Sequence, residues 1–189
     1  MFLLKFLFAL LALFTSVLAT PAGFQYPETE WEYTVHPHRG GHEVSLKGTV
    51  QEQLKQMKEL FPDFDPLAKL PQDELVERDV KNKNDLLCNP MTGQASWKFA
   101  RKRGVLEGIN YLRTRDLCGV DGHSCARISC DREDGIWLCN DNDYRITPKC
   151  DYIASYAFDI IQECRQGNMV CGQRFDSDRY NVPVHVGDC

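Results

Sequence analysis

Nine cysteines in a chain of 189 residues, all of them between Cys88 and Cys189, constrain this fold more than any other feature. Thiols pair in proteins that pass through an oxidising compartment, and the N-terminus carries the address for that route. Met1-Phe-Leu-Leu-Lys5 is followed by an apolar run from Phe6 to Leu13 and then by Ser16-Val17-Leu18-Ala19. One lysine, a short apolar stretch and small residues at Val17 and Ala19 are the parts of a secretory signal peptide over residues 1–19. The run is too short for a stable membrane span. The expectation is a secreted, extracellular protein in which disulfides, at ~2–4 kcal/mol each, reinforce a core of modest size.

Charge separates two halves. Residues 88–189 hold 13 basic and 14 acidic side chains, whereas residues 20–87 hold 8 and 13. Neither half has the positive excess that binding to a phosphate backbone requires, so no nucleic acid partner is expected. Beyond the signal, no apolar stretch is long enough to span a membrane.

Residues 20–87 contain no cysteine and many charges. They read as a loosely ordered acidic leader, either a pro-segment that shields the domain until it is cut or a plain linker. Within it Val50, Leu54, Met57 and Phe61 follow helical spacing and Pro62 ends the pattern, which predicts one short helix over 49–61. Leu67, Leu70, Leu75 and Val76 form a second, weaker apolar cluster. Arg101-Lys102-Arg103 has the form of a dibasic processing site, but it lies inside a helical pattern (Trp97, Val105, Ile109, Leu112) where cleavage requires unfolding. The acidic leader has the charge to fold back on this face, at little gain per exposed pair.

The domain over 88–189 is expected to be α+β, a small antiparallel sheet packed against two helices and stapled by disulfides. Residues 96–113 read as the first helix; Gly104 and Gly108 weaken it and leave room for another element to approach. The second helix, 151–165, puts Ile153, Tyr156, Ala157, Ile160, Ile161 and Cys164 on one face, with Asp151 placed to cap it and Gly167 beyond its end. Val182, Val184 and Val186 alternate with Asn181, Pro183 and His185, the pattern of a half-buried strand. Pro183 predicts an edge or a bulge there.

Between these lies a hairpin. Asp134-Gly135 is a two-residue turn signal, since a type I′ turn needs positive φ at both central positions. With the turn there, Cys130 faces Cys139 in a non-hydrogen-bonded pair, close enough to bridge. The rival arrangement staples these strands to a helix, through Cys164. Nine cysteines leave one unpaired within the chain, free to join a second chain or a small thiol. Structural zinc is disfavoured, because Cys125, Cys130, Cys139 and Cys150 lack a tight C-x2-C pair.

Catalytic motifs are missing: no G-x-S-x-G elbow, no H-E-x-x-H, no P-loop and no C-x-x-C redox pair occurs. His36, His38 and His42 fall within seven residues, and histidines on one strand face bind copper or zinc; the Gly40-Gly41 pair and charged setting point instead to a solvated loop with adventitious affinity. His123 and His185 are the only histidines of the 88–189 domain. With Glu133, Asp131 or Arg127 they would make the acid, base and anion-binding set of a small ribonuclease, a reading their spacing does not demand. Leu138-Cys-Asn-Asp-Asn-Asp143 is acidic, but its spacing is not that of an EF-hand and suits a turn. Trp137, Tyr144, Phe175 and Tyr180 read as core or rim aromatics, a subset of them available for binding.

Gly108-Ile-Asn-Tyr-Leu-Arg113, His123-Ser-Cys-Ala-Arg-Ile-Ser-Cys130, Ile136-Trp-Leu-Cys-Asn-Asp-Asn142, the 151–164 helix ending in cysteine, Gly172-Gln-Arg-Phe175 and Asn181-Val-Pro-Val184 occur in this order before the last cysteine. This resembles a family of small secreted cysteine-rich proteins of filamentous fungi, many of them candidate effectors. The order of elements is also similar to that of the smut-virus killer toxins, small α/β sandwiches that interfere with calcium channels. The resemblance implies that the family-like cysteines are Cys88, Cys125, Cys130, Cys139, Cys164 and Cys189. Cys118, Cys150 and Cys171 are then extra, and the odd thiol is sought among them. It transfers no catalytic residue, cofactor or metal site. The function expected is an effector-like or toxin-like protein that binds an extracellular target, a host or competitor protein. The alternatives are a secreted hydrolase using His123 and His185, and a structural cell-surface protein linked through its odd cysteine.

Overall fold

The computed structural model describes residues 27–35, 44–62, 82–91, 93 and 96–189. The signal segment, the histidines at 36, 38 and 42, and the apolar cluster from Leu67 to Val76 lie outside them. Among the described residues the fold mixes three helices with three sheets. The N-terminal part supplies β1 (Glu28–Thr29), β2 (Glu32–Val35), β3 (Val44–Lys47) and α1 (Val50–Leu60). Next come β4 (Lys83–Cys88), β5 (Ala100–Arg101), α2 (Lys102–Leu112), β6 (Ser124–Asp131) and β7 (Asp134–Asn140). The C-terminal part adds α3 (Cys150–Cys164), β8 (Arg165–Gln166), β9 (Met169–Val170), β10 (Gly172–Asp176) and β11 (Tyr180–Val186).

The main sheet has six strands in the order β1-β6-β7-β11-β10-β4, larger than the small sheet expected and with one parallel pair, β1–β6. Alternation along its strands sorts two faces. Ala126, Ile128, Ile136, Leu138, Val182 and Val184 enter the core beneath α2 and α3. The intervening Cys125, Trp137, Cys139 and His185 lie on the opposite face, where Trp97 packs against His185. This two-sided cover explains why every residue of β7 is buried.

Two glycines set how closely α2 sits on the sheet. A Cβ at Gly104 would lie 2.3 Å from Asp134 Oδ2, and one at Gly108 would lie 2.3 Å from Ser129 Oγ. The helix starts at Lys102 rather than 96, because the Asp134 carboxylate accepts the backbone N–H of Arg101 at 2.7 Å and its Nε at 2.9 Å, holding that residue extended. The dibasic run is therefore folded into β5 and α2. Helix α3 falls within one residue of expectation, but its N-cap is Lys149 with no side-chain cap; Asp151 sits in the first turn, 3.7 Å from Arg113.

The hairpin turns two residues earlier than Asp134-Gly135. Arg132 and Glu133 take the positive φ values, 47° and 76°. Asp131 then pairs with Asp134 and Cys130 with Gly135; a register shift between Arg127 and Ser129 brings Cys125 opposite Cys139. Tertiary contacts outweigh the local turn preference. Asp134 is drawn inward by Arg101, and Gly135 is needed in the strand because a Cβ there would meet the Trp137 ring at 2.2 Å.

The bridges follow from that register. The expected Cys130–Cys139 pair does not form: Cys125 bonds Cys139 across the hairpin and Cys130 bonds the C-terminal Cys189. Cys88–Cys164 ties β4 to the end of α3, the helix staple of the rival arrangement but from a different strand. Cys118 and Cys150 are bonded to each other, so neither is the odd thiol; that is Cys171, which is buried.

Pro183 is in neither an edge strand nor an outer position, since β11 runs between β7 and β10. The ladder to β7 pairs Asn181 with Cys139 and resumes at Val184 with Ile136, and the break at 182–183 is where a missing N–H is tolerated.

The described part of the acidic leader is not loose. Thr49 and Glu52 form a reciprocal capping box at the start of α1. Val50 and Leu54 join the main core together with Trp31. Gln51 donates to Ser129 Oγ at 2.9 Å and accepts from the Cys130 N–H at 3.1 Å. Strand β4, which lies almost wholly before the expected boundary at 88, forms the other sheet edge. The third helix of the fold thus comes from the leader.

Candidate functional site

Two buried amides at the end of β7 organise the surface beyond it. Asn140 Nδ2 donates toward the carbonyls of Val120 (3.2 Å), Asp121 (3.1 Å) and Tyr144 (2.7 Å). Its Oδ1 accepts from the N–H and the Nδ2 of Asn142, both at 3.0 Å. Asn142 Nδ2 continues to the carbonyls of Asp178 (2.8 Å) and Arg179 (3.1 Å). Three loops are thereby fastened to one point, and the Cys118–Cys150 bridge pins the start of α3 beside them. The side-chain oxygen of Asn140 is spent on Asn142, so the acidic stretch after Leu138 is a structural knot. Among the described residues no cluster of histidine, cysteine or carboxylate suits a metal ion.

Between these loops opens a groove of about 860 Å³. Tyr144, Arg145, Lys149, Asp178 and Arg179 line it, together with Tyr152 and Tyr180. Tyr144 is 62% exposed, the highest value among the exposed large hydrophobic side chains. Arg145 Nη1 pairs with Asp121 at 2.7 Å, an exposed contact. Arg179 Nη2 donates to the Asp141 carbonyl at 3.1 Å. Burial raises the Asp141 carboxyl above the usual range, opposed by the Asn181 hydrogen bond and by Arg179 and His123.

Behind the groove, Asp176 gathers phenols. Tyr156 Oη donates to its carboxylate, and Tyr152 Oη lies 2.8 Å from Tyr156 Oη. Burial, then the hydrogen bond to Asp176, push the Tyr156 and Tyr180 phenols well above their ordinary range. These hydroxyls stay protonated donors. Asp176 Oδ1 also accepts the Asp178 N–H at 2.7 Å, which fixes the turn carrying Asp178 and Arg179.

The histidines of the hydrolase reading are not brought together. His123 precedes Ser124, which pairs with Asn140, whereas His185 pairs with Gly135. Five residues of strand separate those positions, roughly 16 Å at ~3.3 Å per residue. His185 is stacked between Trp97 (4.3 Å) and Trp137 (4.0 Å), and burial lowers its pKa to about 4. Its Nδ1 meets the Val186 carbonyl at 2.6 Å. Two of the three suggested companions are occupied elsewhere, Arg127 with Glu28 (3.6 Å) and Asp131 with Arg132 (2.9 Å), and Glu133 is exposed in the hairpin turn.

Of the aromatics singled out from sequence, Trp137 and Tyr180 are buried and Tyr144 is the exposed one. Arg145, Lys149, Tyr152 and Arg179 carried no sequence signal; they meet only because Asn140 and Asn142 draw distant loops together. Burial pushes the Cys171 thiol up to about 11, so it is neither exposed nor activated for a link between chains. No described helix is long and apolar enough to cross a membrane. Comparison with protein-family models, curated proteins and solved structures finds no match.

Proposed function

We propose that this is a secreted effector-like or toxin-like protein, that it binds an extracellular protein of a host or competitor, and that the groove beside Tyr144 is its recognition surface. The observation that carries the reading is the pairing of exposed, chemically varied side chains with a fixed base: Tyr144 and Arg179 project from loops whose backbones are tied to Asn140 and Asn142. Loops presented on a rigid frame are where binding residues concentrate. Exposed tyrosine supplies much contact area at low conformational cost, and arginine is its usual companion at interfaces. Four disulfides favour the oxidising route that secretion implies. The separation of His123 from His185 tells against the hydrolase alternative, and the burial of Cys171 against the disulfide-linked structural one.

The test places a photo-crosslinking amino acid at Tyr144, and in a control protein at Lys55 on the exposed side of α1. Exposed to secreted and surface proteins of the recipient organism, the Tyr144 probe is expected to capture one protein that the Lys55 probe does not. Equal capture by both, or hydrolysis of RNA that His123→Ala abolishes, overturns the proposal.

A further inference from the structure

Each cation of the groove has an acid at hand. Arg145 Nη1 contacts Asp121 at 2.7 Å, Arg179 draws on the Asp141 carboxylate, and Lys149 shares the lining with Asp178. The exposed Asp143 adds a fourth carboxylate. Neither sign prevails, so a polyanion or a polycation laid here meets like charge as well as opposite charge. A neutral ligand that both donates and accepts meets no such conflict. A hydroxyl gives its proton to a carboxylate and offers its lone pairs to a guanidinium or an ammonium. Tyr152, also in the lining, supplies an acceptor. Tyr156 gives its proton to Asp176, so the Tyr152 proton goes inward to Tyr156 Oη at 2.8 Å, and a ligand meets the lone pairs of the Tyr152 oxygen.

The backbone around the groove is already committed. The carbonyls of Tyr144, Asp178 and Arg179 accept from Asn140 and Asn142. Ile146 exchanges hydrogen bonds with Val120, and the Pro148 carbonyl accepts the Cys118 N–H. An extended peptide therefore finds little backbone to pair with. Anchoring by an apolar side chain is poorly served too, since Ile146 and Pro148 are half-buried and the exposed lining beside Tyr144 is basic, acidic or hydroxylic. Tyr144 itself offers a ring whose negative π-face attracts the weakly positive C–H groups of a sugar ring. At about 860 Å³ the groove has the size of sites that hold a ligand of a few rings.

Resting on the reading of the groove as the recognition surface, we infer that what it takes from the target protein is a neutral glycan, with a sugar ring stacked on Tyr144 and hydroxyls that donate to Asp178 and accept from Lys149 and Arg179. Stacking and hydrogen bonds to an uncharged ligand change little as salt rises, whereas an ionic contact is screened.

The experiment uses the full secreted chain with its disulfides intact and four unbranched tetrasaccharides, of glucose, galactose, mannose and N-acetylglucosamine. At least one is expected to shift the amide resonances of Tyr144, Lys149 and Arg179, with an affinity that holds as salt rises. Tyr144→Ala is expected to weaken that binding about tenfold, Tyr144→Phe to keep it, and Asp178→Ala to weaken it with the fold unchanged. No shift with any of the four, shifts confined to other surfaces, or equal affinity of Tyr144→Ala overturns the glycan inference. So does tighter, salt-sensitive binding of a glutamate or lysine peptide at the same resonances. Its failure is separable from failure of the groove itself. Crosslinking through Tyr144 is repeated on recipient proteins stripped of N-linked and O-linked glycans, and capture is expected to be lost. A target still captured at Tyr144 and not at Lys55 preserves the groove and makes its ligand a protein surface. Absence of selective capture both before and after stripping removes both.

Discussion

At one end of β7, His185 lies between two indole rings; at the other, Asn140 and Asn142 lie beneath loops that carry charged side chains into solvent. Both ends bury polar groups, with opposite results. The imidazole is enclosed on both faces and stripped of water, so its pKa falls to about 4 and it serves packing. The amides satisfy backbone carbonyls from three loops, and this leaves the side chains of those loops free for contacts. A buried polar group next to apolar rings consumes its own chemistry, whereas one that bonds backbone makes a platform for the chemistry of others.

The largest effect is expected where the enclosed end is opened. Trp137 fills the space that Gly135 and Gly187 leave, since a Cβ at either would approach its ring within 2.2 and 2.5 Å. Trp137→Ala is expected to destabilise the protein by about 3–5 kcal/mol, read as a shift of the urea midpoint with all disulfides oxidised. It should leave crosslinking through Tyr144 intact in the molecules that stay folded. Equal loss of stability and of binding at saturating folded protein would show that the two ends are coupled and the comparison is false.

Titration sharpens the same contrast. His185 is neutral in the folded protein down to about pH 4 and is protonated in the unfolded chain below its ordinary value of 6.5. The stability it contributes is therefore present above pH 6.5 and is lost as pH falls from there to about 4. Its size is on the order of 3 kcal/mol across that window. Denaturant titrations at pH 7.5, 6, 5 and 4 check it. His185→Phe, which keeps a ring between Trp97 and Trp137, should flatten this part of the profile, and an unchanged slope would mean that carboxylates alone cause it.

How much of this was legible in the sequence depends on the range of the forces involved. Helix α3 and the apolar alternation of β11 are local patterns and were readable from spacing, as was α1 with its Pro62 stop, although β11 is buried on both faces rather than half-buried, Asn181, Pro183 and His185 included. The hairpin was readable as a hairpin but two residues out of phase, because the Asp134-Gly135 turn preference competes with an ion pair to Arg101, 33 positions away. Cysteine pairing inherited that error, since a shifted register changes which thiols face each other. The leader's charge and lack of cysteine concealed Trp31, which is buried in the main core together with Val50 and Leu54. The groove was the least legible. Tyr144 could be singled out as an aromatic, but no spacing rule joins Arg145 and Lys149 to Arg179.

The smallest expected stability change belongs to the residue proposed to matter most for binding. Asn140→Ala removes a buried amide and its hydrogen bonds to the carbonyls of Val120, Asp121 and Tyr144, of which Val120 keeps the Ile146 N–H and Asp121 the Ser124 hydroxyl, a cost of about 1–3 kcal/mol. It should also speed amide hydrogen exchange across 142–146 and 178–180, because the loops lose their common anchor. Tyr144→Ala, at an exposed site whose side chain anchors nothing in the core, should change stability by less than ~0.5 kcal/mol and leave those exchange rates as they are. If crosslinking falls in both variants, with exchange faster only in Asn140→Ala, the amides position the surface and Tyr144 makes the contact. If Asn140→Ala speeds exchange and leaves crosslinking untouched, the fixed base is irrelevant to recognition. The rigid-frame argument for the groove then fails even though its tyrosine is used.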